Sequence, residues 1–258
     1  MTFDLHIGID YSGRETPTSR TPGLQVYAAS HGEEPRPVRS PKAPDGANRN
    51  WCRKEIAEWL MEQARSKTTI IAGIDHGFSF PMSYFERYGL KTWECFLEDF
   101  CEHWPTDGDH TYVQFIRESG PARIGLDTEF RLTDKWTSSA KSVFLFDVQG
   151  SVAKSTHAGL PWLRRIKEAV GKQVHFWPFD GWKVPEGRSA IVEVYPSLVR
   201  RRYPRDGRTK DDQQDAYAVA RWLMEMDGNG FLGRFFDPPL TDEQRRVADL
   251  EGWFFGVS

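Results

Sequence analysis

The stretch from residue 68 to residue 75, TTIIAGID, is the feature that most constrains how this chain can fold. It is almost entirely apolar, so its side chains must be covered on both faces if it forms a strand. Helices that cross over a sheet provide that cover in α/β proteins. We therefore predict an α/β protein in which 68–75 is a central strand.

Three extended segments precede this strand and predict an antiparallel meander. The first, at 3–10, alternates apolar and polar side chains and ends at Asp10, before a small-residue turn. An amphipathic helix is predicted at 51–65, with Asn50 as its N-cap. Because crossover connections are right-handed, the strand at 68–75 is expected to lie parallel to the first strand and beside it.

The second and third strands of the meander and the segments after residue 75 complete the predicted elements. The further predicted strands are 24–30, 36–41, 174–180 and 189–195, and the further helices are 82–103, 158–170, 210–226 and 241–250. The polar, turn-rich segment 104–141 is predicted to be an irregular insertion. At 258 residues we expect one domain, 1–258, on a mixed sheet of order 3-2-1-4-5 flanked by helices.

The composition is typical of a cytoplasmic protein. The three cysteines are odd in number and show no zinc spacing, as expected for reduced thiols. No signal-peptide pattern opens the chain, and no apolar stretch reaches the roughly 20 residues of a membrane helix. The formal net charge of -3 gives no general attraction to nucleic acid, so such a partner would need a local basic patch or metal ions.

Two predicted neighbouring strands end in the same tripeptide, GID, at 8–10 and at 73–75. Parallel strands meet at the same edge of a sheet, and ligands of open α/β sheets bind outside the carboxyl ends of the strands. Asp10 and Asp75 are therefore expected side by side at a ligand-binding edge. A single strand-end aspartate is usually a turn former, but the repeated motif weakens that interpretation.

The helix predicted at 210–226 carries Asp212 and Asp215, which lie three residues apart and so on one flank of the helix. Acidic residues in a first turn can simply complement the helix dipole, which is an alternative for Asp212. Asp215 lies deeper in the helix, where this explanation fits less well. Small residues along the same helix would let it approach the sheet closely.

Glu193 interrupts an otherwise apolar strand, which is costly unless the acid faces solvent, a cation or a ligand. Carboxylates that cluster repel one another, so a site built from Asp10, Asp75, Glu193 and Asp215 makes physical sense chiefly with bound cations. All-oxygen ligands favour Mg²⁺ or Mn²⁺ over zinc.

Five short motifs carry a resemblance to a known family. They are GIDYSG at 8–13, GIDHGFSFP at 73–81, EVYPS at 193–197, DDQQDAYAVA at 211–220 and EGWFFGV at 251–257. Together with the order of elements, they resemble the family of predicted ribonuclease H-like nucleases, which is distantly similar to Holliday-junction resolvases.

The resemblance implies a ribonuclease H-like fold and metal-dependent hydrolysis of phosphodiester bonds in nucleic acid. It implies Asp10, Asp75, Glu193 and Asp215 as metal ligands and catalytic residues, with Asp212 as an extra or substitute ligand. The corresponding hypothesis is a two-metal-ion mechanism in which Asp10 bridges the ions and water attacks the scissile phosphate in line.

Two basic features could hold a nucleic-acid backbone. The first is the run RRRYPR, with Arg200, Arg201, Arg202 and Arg205, although such a run is often only a solvated loop. The second is Lys154 in GSVAKST, which is similar to a nucleotide-binding loop but has alanine where glycine is required before the lysine. We expect Lys154 to touch substrate phosphate rather than to define a nucleotide site.

Two other functions are compatible with the same pattern of strands. A phosphotransferase of the actin-like and sugar-kinase superfamily also begins with a strand that ends in Asp, but it needs a second, duplicated lobe for which this chain looks too short. A non-catalytic binding module could retain the fold, because a fold does not determine a function.

Overall fold

A computed structural model describes residues 2–43 and 50–258. Its centre is a mixed, six-stranded sheet of order β3-β2-β1-β4-β6-β5. The strands are β1 Leu5–Asp10, β2 Gln25–Ser30, β3 Arg36–Pro37, β4 Ile70–Asp75, β5 Val174–Trp177 and β6 Ser189–Glu193. β1, β2 and β3 form the antiparallel meander, while β4, β6 and β5 continue from β1 in parallel. The α/β class, the meander and the pairing of β4 with β1 are as the sequence predicts.

The expected order 3-2-1-4-5 is wrong beyond β4. That order assumes that consecutive strands are neighbours. The chain instead skips one position after β4 and forms β5 at the edge, and β6 then returns to fill the gap between them. The exchange matters for the site, because it pairs Glu193 at the end of β6 with Ile74, the residue before Asp75.

Helices cover both faces of the sheet. They are α1 Arg53–Arg65, α2 Met82–Tyr88, α3 Trp93–His103, α4 Val113–Glu118, α5 Leu132–Thr137, α6 Ala153–Val170, α7 Asp211–Gly228, α8 Leu232–Phe236 and α9 Asp242–Glu251. α1, α3 and α6 pack together on one face, and α7 covers β1 and β2 on the other. None of the helices in the described ranges has the length and hydropathy needed to cross a membrane.

Several helix boundaries differ from those predicted, for local reasons. The segment 82–103 is two helices, because Gly89 ends the first in the left-handed region at φ +68°. α1 begins at Arg53 with Cys52 rather than Asn50 at its N-cap. α6 begins at Ala153 instead of 158, and Val152 at its N-cap makes no side-chain hydrogen bond that would mark the start. The insertion 104–141 contains only the two short helices α4 and α5.

Glycines within the two GID motifs allow α7 to approach the sheet closely. Gly8 and Gly73 are register partners on β1 and β4. A Cβ on Gly8 would lie 2.1 Å from the carbonyl oxygen of Ala216, and one on Gly73 would lie 2.8 Å from Val219 Cγ1. A side chain on Gly8 would therefore collide with the backbone of α7, and one on Gly73 would collide with side chains of α7 and with Val194. The close approach brings the acidic start of α7 to the strand ends that carry Asp10 and Asp75.

Candidate active site

Asp10 and Asp75 lie side by side at the carboxyl edge of the sheet. They are register partners on the adjacent parallel strands β1 and β4, and both are partly buried. Burial, together with the charges of Asp75, Asp212 and Asp215, raises the pKa of Asp10 well above its usual value. Burial and the charges of Asp215 and Glu193 likewise raise the pKa of Asp75. Two adjacent carboxylates therefore resist simultaneous ionisation.

Helix α7 adds two further aspartates to this edge. Burial raises the pKa of Asp215 to about 6, with contributions from the charges of Asp211 and Asp212. Asp215 Oδ2 accepts a 3.3 Å hydrogen bond from Arg200, while its Oδ1 is buried and has no hydrogen-bond partner. Burial also raises the pKa of Asp212. An unpartnered oxygen on a buried acid can still accept a hydrogen bond or coordinate a cation.

Glu193 lies at the same edge, and both of its oxygens already accept hydrogen bonds. It is 1% exposed, and each of its oxygens accepts a hydrogen bond from Arg131, at 2.7 and 2.8 Å. The backbone N–H of Phe78 donates to the same carboxylate at 2.9 Å. Burial raises the pKa of Glu193, and the Arg131 guanidinium opposes that rise. A metal ion bound by Glu193 would compete with Arg131 for this carboxylate.

Arg131 connects the insertion 104–141 to the sheet. Its guanidinium also donates to Asp134 and lies 5.0 Å from the centre of the Phe254 ring. Burial lowers the pKa of Arg131, but the carboxylates of Asp134 and Glu193 outweigh that effect and raise it. Sequence reasoning missed this residue. Its only local signal is the i,i+3 spacing to Asp134, which resembles many solvent-exposed pairs.

An open cleft with a volume of about 1440 Å³ lies over these carboxylates. Of the residues singled out in the sequence, the cleft is lined by Asp10, Asp75, Glu193, Asp212, Asp215, Lys154 and Arg200. Arg201, Arg202 and Arg205 are exposed but do not line it. Lys210, which follows the basic run, also lines the cleft, as do three cationic residues that sequence reasoning did not select, namely Arg14, Arg20 and Lys141.

His76 follows Asp75 and is buried beneath the cleft. Its Nδ1 lies 2.9 Å from the carbonyl oxygen of Gly77, and Gly159 packs against the ring. Burial lowers the pKa of His76 to about 4. The imidazole is therefore neutral near pH 7 and serves packing rather than charge neutralisation.

The donor set fits a hard divalent cation in its chemistry. The acids are all oxygen donors, several have raised pKa values, and Asp215 Oδ1 lacks a partner. Across residues 2–43 and 50–258, no three or more His, Cys, Asp or Glu side chains are arranged as a group that could hold one metal ion. The carboxylates are thus close enough for their charges to interact without forming a closed coordination shell.

Comparison of the chain with family models, with curated proteins and with solved structures found no match.

Proposed function

We propose that this protein is a metal-dependent nuclease that hydrolyses phosphodiester bonds in nucleic acid. The observation that carries the proposal is the group of four aspartates, Asp10, Asp75, Asp212 and Asp215, at one edge of the sheet, whose pKa values are raised by burial and mutual repulsion. Such a group is costly by itself and becomes favourable when cations neutralise it. Its position on the floor of an open cleft with cationic residues suits a polyanionic substrate.

We also propose that the fold is ribonuclease H-like and that the location is cytoplasmic. An antiparallel meander, a crossover helix and a fourth strand parallel to the first support the fold, with β6 and β5 extending the sheet. Three free cysteines, Cys52, Cys95 and Cys101, are in keeping with a reducing compartment.

Asp10 and Asp75 are the residues that would hold Mg²⁺ or Mn²⁺, with Asp215 and Asp212 as further ligands from α7. Bound there, such a cation would neutralise phosphate charge and lower the pKa of a bound water. The role of the protein is to position these carboxylates. The sheet fixes Asp10 beside Asp75, so the two carboxylates stand next to each other before any cation binds.

Glu193 acts, in this proposal, as a positioning residue instead of a direct ligand. Its carboxylate receives Arg131 from the insertion and the N–H of Phe78 from the segment that follows Asp75. It thereby fixes the backbone just after Asp75. Arg200 shares its guanidinium with Asp215 and is placed to exchange that contact for a substrate phosphate.

The decisive experiment is a cleavage screen over labelled single-stranded, duplex and branched DNA and RNA with Mg²⁺, with Mn²⁺ or with a chelator. We expect cleavage with either metal and none with the chelator. Asp10→Asn should abolish it, and the exposed Asp109→Asn should not. Turnover of ATP without any nucleic-acid cleavage would favour a phosphotransferase instead.

Thermal melting of the same proteins separates a metal site from a merely acidic surface. Removing one of the repelling charges should leave metal-free Asp10→Asn as stable as wild type or more so, with little gain from metal. Wild type and Asp109→Asn should both melt at a higher temperature with Mn²⁺. A wild-type metal shift in Asp10→Asn would make Asp10 an ordinary turn residue.

A further inference from the structure

The loop that follows Asp10 is held from behind by one buried arginine. The guanidinium of Arg53, in the first turn of α1, donates to the carbonyl oxygens of Ser12, Arg14 and Glu15 at 3.2, 2.6 and 2.8 Å. Arg53 is 0% exposed, whereas all the loop residues from 12 to 15 line the cleft. A single buried cation therefore sets the direction of three of the carbonyl groups of this loop.

Arg53 carries a positive charge that carbonyl groups do not neutralise. Within the described ranges, no carboxylate lies at ion-pair distance from it, and its buried Nε has no hydrogen-bond partner. Burial lowers the pKa of Arg53, but an arginine keeps its proton in proteins. A buried charge without a counter-ion is costly, so it leaves a positive potential on the loop that an anion would relieve.

The peptide groups of the loop direct N–H donors away from Arg53. The peptide bonds here are trans, so a carbonyl that points towards Arg53 turns the next N–H away from it. These N–H groups belong to Gly13, Glu15 and Thr16. None of the three donates to an acceptor in the described part of the chain. The N–H groups of Glu15 and Thr16 are successive, and successive N–H groups that point the same way form a concave anion-binding nest.

The same loop packs on the first turn of α6. A Cβ on Gly13 would lie 1.9 Å from the carbonyl oxygen of Lys154, so the loop and this turn are in direct contact. Lys154 lines the cleft, and among the described residues it has no ion-pair partner. The positive end of the dipole of α6 adds to the attraction for a negative group.

We infer that the loop Ser12–Glu15, held by Arg53 and flanked by Lys154, binds a phosphate group at a subsite separate from the aspartates. Binding of a phosphate group by this loop does not depend on the nuclease activity. That the phosphate belongs to a nucleic acid rests on the proposed function. The loop would hold a phosphate next to the scissile one and so position the strand over Asp10 and Asp75.

The direct test uses isotope-labelled wild-type protein with a chelator present, so that no metal contributes. Inorganic phosphate is added while the amide resonances of Gly13 and Glu15 are followed, with sodium chloride at equal ionic strength as the reference. We expect both resonances to shift saturably with phosphate and not with chloride. Unmoved resonances at both positions would overturn the inference.

Two variants measure the contribution of the residues. Lys154→Gln should weaken phosphate binding about tenfold, as expected for loss of a charge-assisted contact, while the exposed Lys91→Gln should leave it unchanged. Gly13→Ala should weaken it as well by moving the loop off α6, compared with Gly233→Ala, whose Cβ would meet no atom within 4 Å. If Gly13→Ala does not fold, Lys154→Gln still decides the matter. Wild-type affinity in Lys154→Gln would remove Lys154 from the site and contradict the inference.

Competition identifies the source of the phosphate. Displacement of inorganic phosphate by a short single-stranded oligonucleotide supports a nucleic-acid subsite, and displacement by ATP alone supports a nucleotide site in the same loop. Phosphate binding without any nucleic-acid cleavage would leave the anion site standing while the nuclease proposal failed.

Discussion

At the scale of single residues, Asp215 combines burial with an unsatisfied oxygen. Its side chain is 14% exposed, and its pKa is raised from 3.8 to about 6. A raised pKa means that the folded state binds the proton more tightly than the unfolded state. Its contribution to stability is therefore fully present below the unfolded pKa and is lost as the pH rises through the folded value.

We predict that, with a chelator present, wild type loses stability relative to Asp215→Asn as the pH rises from about 4 to about 7. Asparagine cannot ionise, so that variant should lack this part of the pH dependence. Urea unfolding at a series of pH values measures both curves. Parallel curves would show that Asp215 titrates alike in the folded and unfolded chains.

Arg131 and Glu193 form a buried pair, and removing one partner leaves the other charge without compensation. We predict that Arg131→Met lowers the free energy of unfolding by about 3–5 kcal/mol. Arg131→Met combined with Glu193→Gln should recover part of that loss, because no uncompensated carboxylate remains at 193. Denaturant unfolding of the single and double variants provides the measurement.

The control is Arg205→Met, whose pair with Asp211 is exposed on both side chains. Its loss should be only about 0–1 kcal/mol. Equal losses at the two arginines would mean that the buried pair stabilises the fold no more than an exposed pair does.

At the scale of elements, the contact between α7 and β1 governs where the helix aspartates lie. We predict that Gly8→Ala destabilises the fold by roughly 1–3 kcal/mol, because its Cβ would meet the Ala216 carbonyl at 2.1 Å. Activity should fall further than stability explains, since α7 carries Asp212 and Asp215. Unfolding and cleavage measured at a temperature where the variant is folded separate the two effects.

Gly233→Ala is the matched control, because a Cβ there meets no atom within 4 Å. It should change neither property. A Gly8→Ala protein with wild-type stability and activity would show that α7 can move without disturbing the site.

At the scale of the whole molecule, a chain of formal net charge -3 must attract a polyanion through the distribution of its charges. Arg14, Lys154 and Lys210 line the cleft, whereas Arg201, Arg202 and Arg205 lie outside it. Changing the three cleft residues together to Gln should make the slope of log affinity against log salt concentration shallower, by the amount expected for the loss of about two to three phosphate contacts.

The matched control is a triple variant in which Arg201, Arg202 and Arg205 are changed to Gln. It should change the salt dependence of binding less. Binding of a labelled oligonucleotide at several salt concentrations gives both slopes. A larger loss in the arginine triple would instead support the sequence-based hypothesis that the basic run holds the backbone.

The sequence by itself was sufficient to predict the α/β class, the meander, the parallel neighbour of β1 and the pairing of Asp10 with Asp75. Each of these predictions follows from a local pattern in the sequence: an apolar run, the alternation of apolar and polar side chains along a strand, or the repeated tripeptide GID. The small residues of α7 also predicted its close approach to the sheet. Local sequence is informative wherever the side-chain period determines which face is buried.

Only the tertiary structure decided the place of β6, the engagement of Glu193 by Arg131 and the support of the loop 12–15 by Arg53. Arg131 and Glu193 are 62 residues apart, and no period or local propensity relates them. Whether an acid is free to bind a cation depends on which group the folded chain places within hydrogen-bond distance of it. That distance is set by the packing of whole elements, and no segment of the sequence encodes it alone.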